Sequence, residues 1–413
     1  MGILKFSLIA LMLILLIRRK FDLGLSLTFS ALILSVLYRL KPVDIALTFG
    51  KAVIDPMAVL ILVAVMMIIN LSELMKRAGR IRTMVSSLRT MLGDPRGVVT
   101  LVPAMIGLLP IIGGAMISAP MVEEASEELE LNAPRKTFLN YWFRHLWEYI
   151  FPTYPGVIFS AAILGVTFTD IAVANMPLSL AAIAAGLYFG LKGVKYKRTD
   201  GDGEVSRKLA ADFLTSAMPL IVVITAVLIF KTESIIPSLL VLVTSLLVVF
   251  FSSAFLYRIG IGEVWEIIKN NFSWKFVSIV LGILIFKGVL EATDAVTEIA
   301  ADMERLGIPV VLVLMVLPFI IGISTGITMA FVGITFPILL PFFNSADFPM
   351  VAYMLAYAGG YAGVMLSPVH LCLVLTAEYF KADLGAVYRE VIKPVVGVLL
   401  VAVASYLVLN VFL

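Results

Sequence analysis

"GLLPIIGGAMISAP", residues 107–120, interrupts a chain that otherwise consists mainly of long apolar runs. The fourteen residues include three glycines and two prolines, which in a water-soluble protein indicate a loop. Here the neighbouring stretches are long enough to cross a membrane, so the sequence predicts a broken helix at membrane depth. Non-helical backbone is tolerated there only where it is buried in protein or lines a watery cavity.

The composition of the whole chain agrees with a membrane location. Of 413 residues, 61% are hydrophobic and 14% are charged, and the mean hydropathy is +1.06. Apolar stretches of roughly 17–25 residues recur, and each is long enough to cross a bilayer core of about 30 Å. The first apolar stretch is followed by its basic cluster and has no cleavage site, so we interpret it as a retained helix and not a signal peptide. The fold expected is an all-α polytopic membrane protein.

The residue inventory argues against several other functions. A single cysteine, Cys372, excludes an intramolecular disulfide, and we expect it to be a small buried apolar side chain. With only two histidines, His145 and His370, no metal centre or other cofactor is expected. There is no phosphate-binding loop and no nucleophile–base pair, so we do not expect an enzyme. A net charge of +3 does not suggest a nucleic-acid partner.

Two similar halves flank the hydrophilic loop at 192–213. We predict simple spans at 3–17, 23–38, 56–72, 176–191, 214–230, 236–251, 276–290 and 394–412. Longer, interrupted apolar regions cover 98–120, 138–165, 310–340 and 350–378. The broken stretches even align loosely, "LVPAMIGLLPIIGGAMISAP" against "VLPFIIGISTGITMAFVGITFP". Paired Gly/Pro-interrupted segments in corresponding halves are typical of a transporter binding site.

Charge distribution decides how the halves are oriented. If 98–120 enters the membrane and returns on the same side, the basic clusters Arg18–Lys20, Lys76–Arg96 and Lys192–Lys208 all face the cytoplasm. The acidic stretch that begins at Glu291 then faces the opposite side. Each half therefore has about five crossings plus one re-entrant hairpin. Because five is odd, the two halves are predicted to be inverted repeats.

Three ionisable residues lie inside "NYWFRHLWEYIFPTYPG", residues 140–156. An intramembrane charge is costly, so Arg144, His145 and Glu148 are functional candidates. Arg144 and Glu148 are four residues apart and fit a structural ion pair, whereas a free guanidinium fits a carboxylate or phosphate. His145 fits either a proton carrier or a packing residue.

The helix breaks provide the remaining candidates. "FPTYPG" (151–156) and "GGYAGVMLSPVH" (359–370) break two long helices, and we predict that they meet the two hairpin tips at mid-membrane. Gly113 and Gly114 allow positive φ and a close approach of the backbone to a solute. Kinks that serve packing alone are the alternative. The predicted solute site comprises Gly113, Gly114, Ser118, Arg144, Thr153, Ser324, Thr325, Ser367 and His370, and the predicted coupling-ion site comprises Gly113, Thr153, Ser324, Thr325, Thr328 and Ser367.

The order of spans, the two hairpins and the broken helices resemble the ion transporter superfamily, which holds divalent-anion/sodium symporters, citrate and gluconate permeases and arsenite-type carriers. "GGAMISAP" and "NYWFRHLWEYIFPTYPG" are similar to a poorly characterised prokaryotic membrane family of that superfamily. The resemblance implies a homodimer with an elevator mechanism. It divides each repeat into scaffold helices, transport elements and a closing helix. In the first repeat, 1–191, these cover 3–38, 56–165 and 176–191. In the second repeat, 214–413, they cover 214–251, 276–378 and 394–412.

One departure bears on the coupling ion. Dicarboxylate carriers of the superfamily have a Ser-Asn-Thr triplet at each tip, whereas the tips here read "IIGGAMIS" and "GISTGIT". Sodium and protons therefore both stay candidates. The predicted function is secondary active transport of a small or amphipathic anion across the cell membrane. A sodium/proton antiporter or an ion channel is the alternative.

Overall fold

The computed structural model describes residues 2–111, 113–195, 206–230, 232–344 and 346–411. This part of the chain is all-helical, with no β-strand. One short 3₁₀ helix spans Leu146–Tyr149. The twenty α-helices, in chain order α1 to α20, are Gly2–Arg18, Leu23–Leu37, Pro42–Ile54, Pro56–Arg77, Arg80–Leu92, Pro95–Gly107, Ala115–Glu128, Ala133–Arg144, Pro155–Leu164, Phe168–Leu191, Arg207–Ile229, Ile235–Leu256, Ile261–Asn271, Trp274–Ala292, Ala295–Arg305, Val310–Thr325, Thr328–Asn344, Pro349–Met365, Leu371–Tyr379 and Leu384–Val411.

Five of these helices, α4, α10, α11, α12 and α20, are long and apolar enough to cross a membrane. Helices α13 and α14 meet at a bend of 51°, and as a pair they are also long and apolar enough to cross a membrane. Helices α1 and α2 match the predicted spans 3–17 and 23–38 but have only 17 and 15 residues. At 1.5 Å per residue they are about 25 and 23 Å long, which is shorter than an untilted crossing requires. The described part of the chain is all-helical, and its long apolar helices are those of a membrane protein.

Several helices begin earlier than predicted. The closing helices expected at 176–191 and 394–412 begin at Phe168 and Leu384, because Pro177 and Pro394 lie inside the helices and do not start them. A capping box between Thr167 and Asp170 fixes the first of these starts. The loop predicted at 192–213 is shorter than expected, since α11 already begins at Arg207. Its residues 196–205 lie outside the described part of the chain.

Four helices lie outside the apolar regions. These are the amphipathic helices α3, α5, α13 and α15, and no predicted span or interrupted region covers them. Helix α15 packs against α1, where the Lys5 ammonium lies 3.0 Å from the Glu298 carboxylate. The hydroxyl of Tyr38 donates a hydrogen bond to the same carboxylate. These amphipathic helices therefore bind to the apolar helices through polar contacts as well as packing.

Each of the four interrupted regions forms a pair of helices. Helices α6 and α7 pack against each other on either side of a break that contains Gly113 and Gly114, and α16 and α17 do the same around Gly326. The other two regions are broken helices, α8 with α9 and α18 with α19. The glycine- and proline-rich stretches therefore mark real interruptions.

Close helix crossings at glycine hold these elements together. A Cβ at Gly359 or Gly363 of α18 would overlap a backbone carbonyl oxygen of α16, and a Cβ at Gly322 of α16 would overlap one of α18. Gly24 and Gly282 make the same kind of crossing between α2 and α14. Between apolar helices in lipid, such close backbone approach replaces the hydrophobic driving force. These crossings fix the position of α18, whose C-terminal end leads into the candidate site.

Candidate functional site

Helix α19 lies against both hairpin tips. At its start, His370 Nδ1 is 2.9 Å from the carbonyl oxygen of Gly326 at the second tip. Two residues further on, Cys372 lies near the guanidinium of Arg144. Leu375 lies against Gly113 at the first tip. One nine-residue helix thus joins the two tips, which are more than 200 residues apart in the sequence.

The first tip is built around the Arg144 side chain. Gly113 has φ +71°, a left-handed conformation that favours glycine. Gly114 has φ −57°, so the expected positive φ does not occur there. Gly114 is needed for a different reason: a Cβ would lie 2.6 Å from the Arg144 guanidinium, which donates a 2.5 Å hydrogen bond to the carbonyl of Ile111. Arg144 Nε is buried and has no hydrogen-bond partner among the residues that the structure describes.

Arg144 and Glu148 do not form the direct ion pair that their spacing allows. Helix α8 ends at Arg144 and the chain continues as a 3₁₀ helix, so the two side chains no longer share an α-helical face. Glu148 Oε1 lies instead 3.8 Å from His145 Nε2. Its other oxygen accepts a 3.0 Å hydrogen bond from the Thr328 hydroxyl of the second hairpin. The intramembrane carboxylate is therefore directed toward the second tip.

A cavity of about 180 Å³ lies beside Glu148. Three helices present their N-terminal ends to it: α9 begins at Pro155, α17 begins at Thr328, and His370 is the N-cap of α19. Free backbone amides and the helix dipole make such ends favourable for an anion. The cavity is lined by Glu148, Tyr154, Pro155, Gly156, Gly326, Ile327, Thr328, Met329 and His370.

The two halves of the chain meet at this cavity. Gly156 lies so close to Thr328 that a Cβ would overlap the threonine methyl group. His145 Nε2 and His370 Nε2 are 3.1 Å apart. Tyr361, on α18, donates a hydrogen bond of 2.9 Å to the backbone carbonyl of His145. The break after α8 is therefore supported from the second half of the chain.

The other predicted site residues lie near the cavity without lining it. The Ser118 hydroxyl donates a 2.6 Å hydrogen bond to the side chain of Asn140. The Thr325 hydroxyl donates one of 2.8 Å to the carbonyl of Ile321, and the Ser367 hydroxyl donates one of 2.8 Å to the carbonyl of Ile323. They hold the hairpins and breaks in place. Ser324 is partly exposed, and Thr153 is buried with a hydroxyl that has no partner in the described part of the chain. Of the predicted residues, only Thr328 and His370 line the cavity.

Most residues that line the cavity were absent from the predicted set, among them Glu148 and Gly326. The sequence marked Glu148 as an intramembrane charge that fits an ion pair with Arg144, and Cys372 as a packing residue. Gly326 occupies the left-handed turn of the second tip, with φ +65°. A glycine directly after "IST", at the junction of two apolar stretches, is the sequence signal that identifies this turn.

The structure defines a helical membrane protein whose paired broken helices line a small, open cavity that contains one carboxylate. The chain belongs to the family described as "Protein of unknown function (DUF401)", whose match covers residues 3–411. A comparison with curated proteins finds no match.

Proposed function

We propose that this protein is a secondary active transporter that moves a small anion across the cell membrane together with sodium or protons. The observation that carries the proposal is the 180 Å³ cavity between the two halves, where three helix N-termini and one carboxylate face the same space. Ligand sites for drug-sized molecules measure about 300–1,000 Å³, so this cavity favours a small solute.

The electrostatics of the cavity support an anion. The N-terminal ends of α9, α17 and α19 each contribute free amides and the positive end of a helix dipole. The buried guanidinium of Arg144 adds a full positive charge near the first tip. Arginine binds carboxylates and phosphates with good geometry.

The Glu148 carboxylate would make anion binding depend on a cation. An ionised carboxylate repels an anion 4 Å away by about 4 kcal/mol at an effective dielectric constant of about 20. That repulsion weakens binding about a thousandfold. A proton on Glu148, or a sodium ion held by Glu148 and the Thr328 hydroxyl, removes it. The anion and one cation would therefore bind together, which is the requirement for symport.

The arrangement of the helices supports an elevator built from inverted repeats. Each half has a hairpin followed by a broken helix. In the first half these are α6–α7 and α8–α9, and in the second half they are α16–α17 and α18–α19. We propose that these elements move together against scaffold helices in 3–38 and 214–251, and that the scaffold forms a homodimer. The predicted dimer is tested by mass measurement of the detergent-solubilised protein, and a monomer alone would contradict it.

One observation favours a second function. Glu148 is not paired with Arg144, and an intramembrane carboxylate without an arginine partner is what a sodium/proton antiporter requires. In an antiporter, sodium and protons would compete for Glu148 and no anion would be needed.

A thermal-shift screen of the purified protein separates the two functions. Citrate, succinate, gluconate and inorganic phosphate are tested with and without sodium at two pH values. Symport predicts that one anion raises the melting temperature and that sodium or lower pH enlarges the shift. Thr328→Val should reduce this effect, whereas Thr335→Val, which removes a buried hydroxyl bonded within α17, should not. A shift with sodium or pH that no anion increases would contradict anion symport and support antiport.

A further inference from the structure

The two histidines are held in matching tautomers. His145 Nδ1 lies 2.6 Å from the carbonyl oxygen of Tyr141, and His370 Nδ1 lies 2.9 Å from that of Gly326. A carbonyl oxygen only accepts hydrogen bonds, so each Nδ1 must carry a hydrogen and donate it. Each neutral imidazole then has its lone pair on Nε2.

These lone pairs are directed at each other. The two Nε2 atoms are 3.1 Å apart, and both rings are more than nine-tenths buried. Two unprotonated nitrogens at this distance repel each other unless a proton or a metal ion lies between or beside them. The sulfur of Cys372 completes a group of three ligand atoms that lie within 4.8 Å of one another.

We propose that His145, His370 and Cys372 bind a transition-metal ion of the Zn²⁺ or Co²⁺ class. Two nitrogens at about 2.0–2.1 Å from a tetrahedral metal are about 3.3 Å apart, close to the separation in the structure. Metal-binding histidines usually donate their other ring hydrogen to a carbonyl or carboxylate, as both do here. Two imidazoles and one thiolate select such a metal over sodium, magnesium or calcium.

The surrounding charges suit this site. Binding displaces the thiol proton of Cys372 to solvent and forms a metal–thiolate bond, and the Arg144 guanidinium beside the sulfur stabilises the thiolate. Glu148 Oε1, 3.8 Å from His145 Nε2, is the carboxylate within reach of the fourth position. The ligands come from the end of α8 and from the start of α19, so the metal joins the two halves of the chain. The site rests on its own geometry and does not depend on transport.

The metal is tested with Co²⁺ on protein purified in detergent without a polyhistidine tag. The chain has one cysteine and two histidines, so a cobalt–thiolate charge-transfer band identifies Cys372 as the ligand. We expect one Co²⁺ per chain, a tetrahedral spectrum with that band, and a higher melting temperature. Cys372→Ser should lose the band. His145→Gln and His370→Gln should each weaken Co²⁺ binding more than about 100-fold. Losing a residue that only hydrogen-bonds to a metal ligand already lowers metal affinity about 10–100-fold, and losing the ligand itself should cost more.

Thr376→Val is the matched control, because its hydroxyl bonds the backbone carbonyl of Cys372 and not the sulfur. This variant should keep the cobalt spectrum. Wild-type protein without a thiolate band in excess Co²⁺ would overturn the proposal, even if a histidine variant fails to fold. Equal Co²⁺ binding by wild type and all three ligand variants would also overturn it. The measurement involves no transport, so its outcome is independent of the anion screen.

Discussion

Substituting Gly114 by alanine tests the role of Arg144 without touching Arg144 itself. With φ −57°, Gly114 is compatible with alanine, so the backbone is not strained. The added Cβ would lie 2.6 Å from NH2 and 2.9 Å from Cζ of Arg144. These atoms are at the far end of a flexible side chain, so the guanidinium should move away while the hairpin keeps its fold.

The size of the effect follows from the contacts that are lost. The displaced guanidinium gives up its hydrogen bond to Ile111 and its position at the tip. A charge-assisted hydrogen bond contributes about 1.5–3 kcal/mol. If the guanidinium in its wild-type position makes one such bond to a bound anion, Gly114→Ala should lower anion affinity about 10–150-fold. Gly114→Val adds two methyl groups and should abolish transport.

The assay is a thermal-shift titration with the anion that gives the largest shift on the wild type, followed by uptake in reconstituted vesicles. Gly50→Ala, in α3, is the control because a Cβ there meets nothing within 4 Å. The melting temperature without anion should stay close to that of the wild type. Wild-type anion affinity in a folded Gly114→Ala protein would refute the role of Arg144 in anion binding.

Other substitutions test the coupling, the packing, the surface electrostatics and the topology. Glu148→Gln should leave anion binding measurable but remove its dependence on sodium and pH, and unchanged dependence in the titration would contradict the coupling argument. Gly359→Ala should destabilise the protein by about 1–3 kcal/mol, because its Cβ overlaps a carbonyl of α16; denaturant unfolding measures this. A hydrogen bond from a lysine of α1 lowers the pKa of Glu298 below 4.5, so the contact stabilises the fold above that pH and is lost as pH falls further. The stability difference between wild type and Glu298→Gln should therefore be larger at pH 7 than at pH 4. Single cysteines at Lys195 and Arg89, introduced after replacing the native cysteine, should both resist an impermeant reagent in intact cells, and labelling of only one would contradict the inverted topology.

The sequence predicts the interruptions well because glycine and proline act locally. Gly113 and Gly326 adopt the left-handed turns that only glycine accepts easily. Proline is less decisive: Pro177 and Pro394 lie inside long helices, since neighbouring helices in a membrane protein can satisfy the freed carbonyls. Helices α10 and α20 therefore begin eight and ten residues before the predicted spans.

The site is harder to predict because its contacts are long-range. Spacing alone suggests a pair between Arg144 and Glu148, but the change to a 3₁₀ helix after Arg144 separates them, and no residue type marks that change. The approach of His145 to His370 joins residues 225 positions apart. Thr325 looked like an ion ligand, yet its hydroxyl bonds the carbonyl four residues earlier in its own helix.

Uptake into sealed vesicles that contain the purified protein measures cation-coupled anion transport itself. The anion selected by the thermal-shift screen is supplied outside, and a sodium or proton gradient is imposed. Coupled symport predicts that the anion accumulates above its external concentration only while the cation gradient lasts, and that Glu148→Gln abolishes this accumulation. Exchange of sodium for protons that proceeds equally with and without the anion would contradict the account.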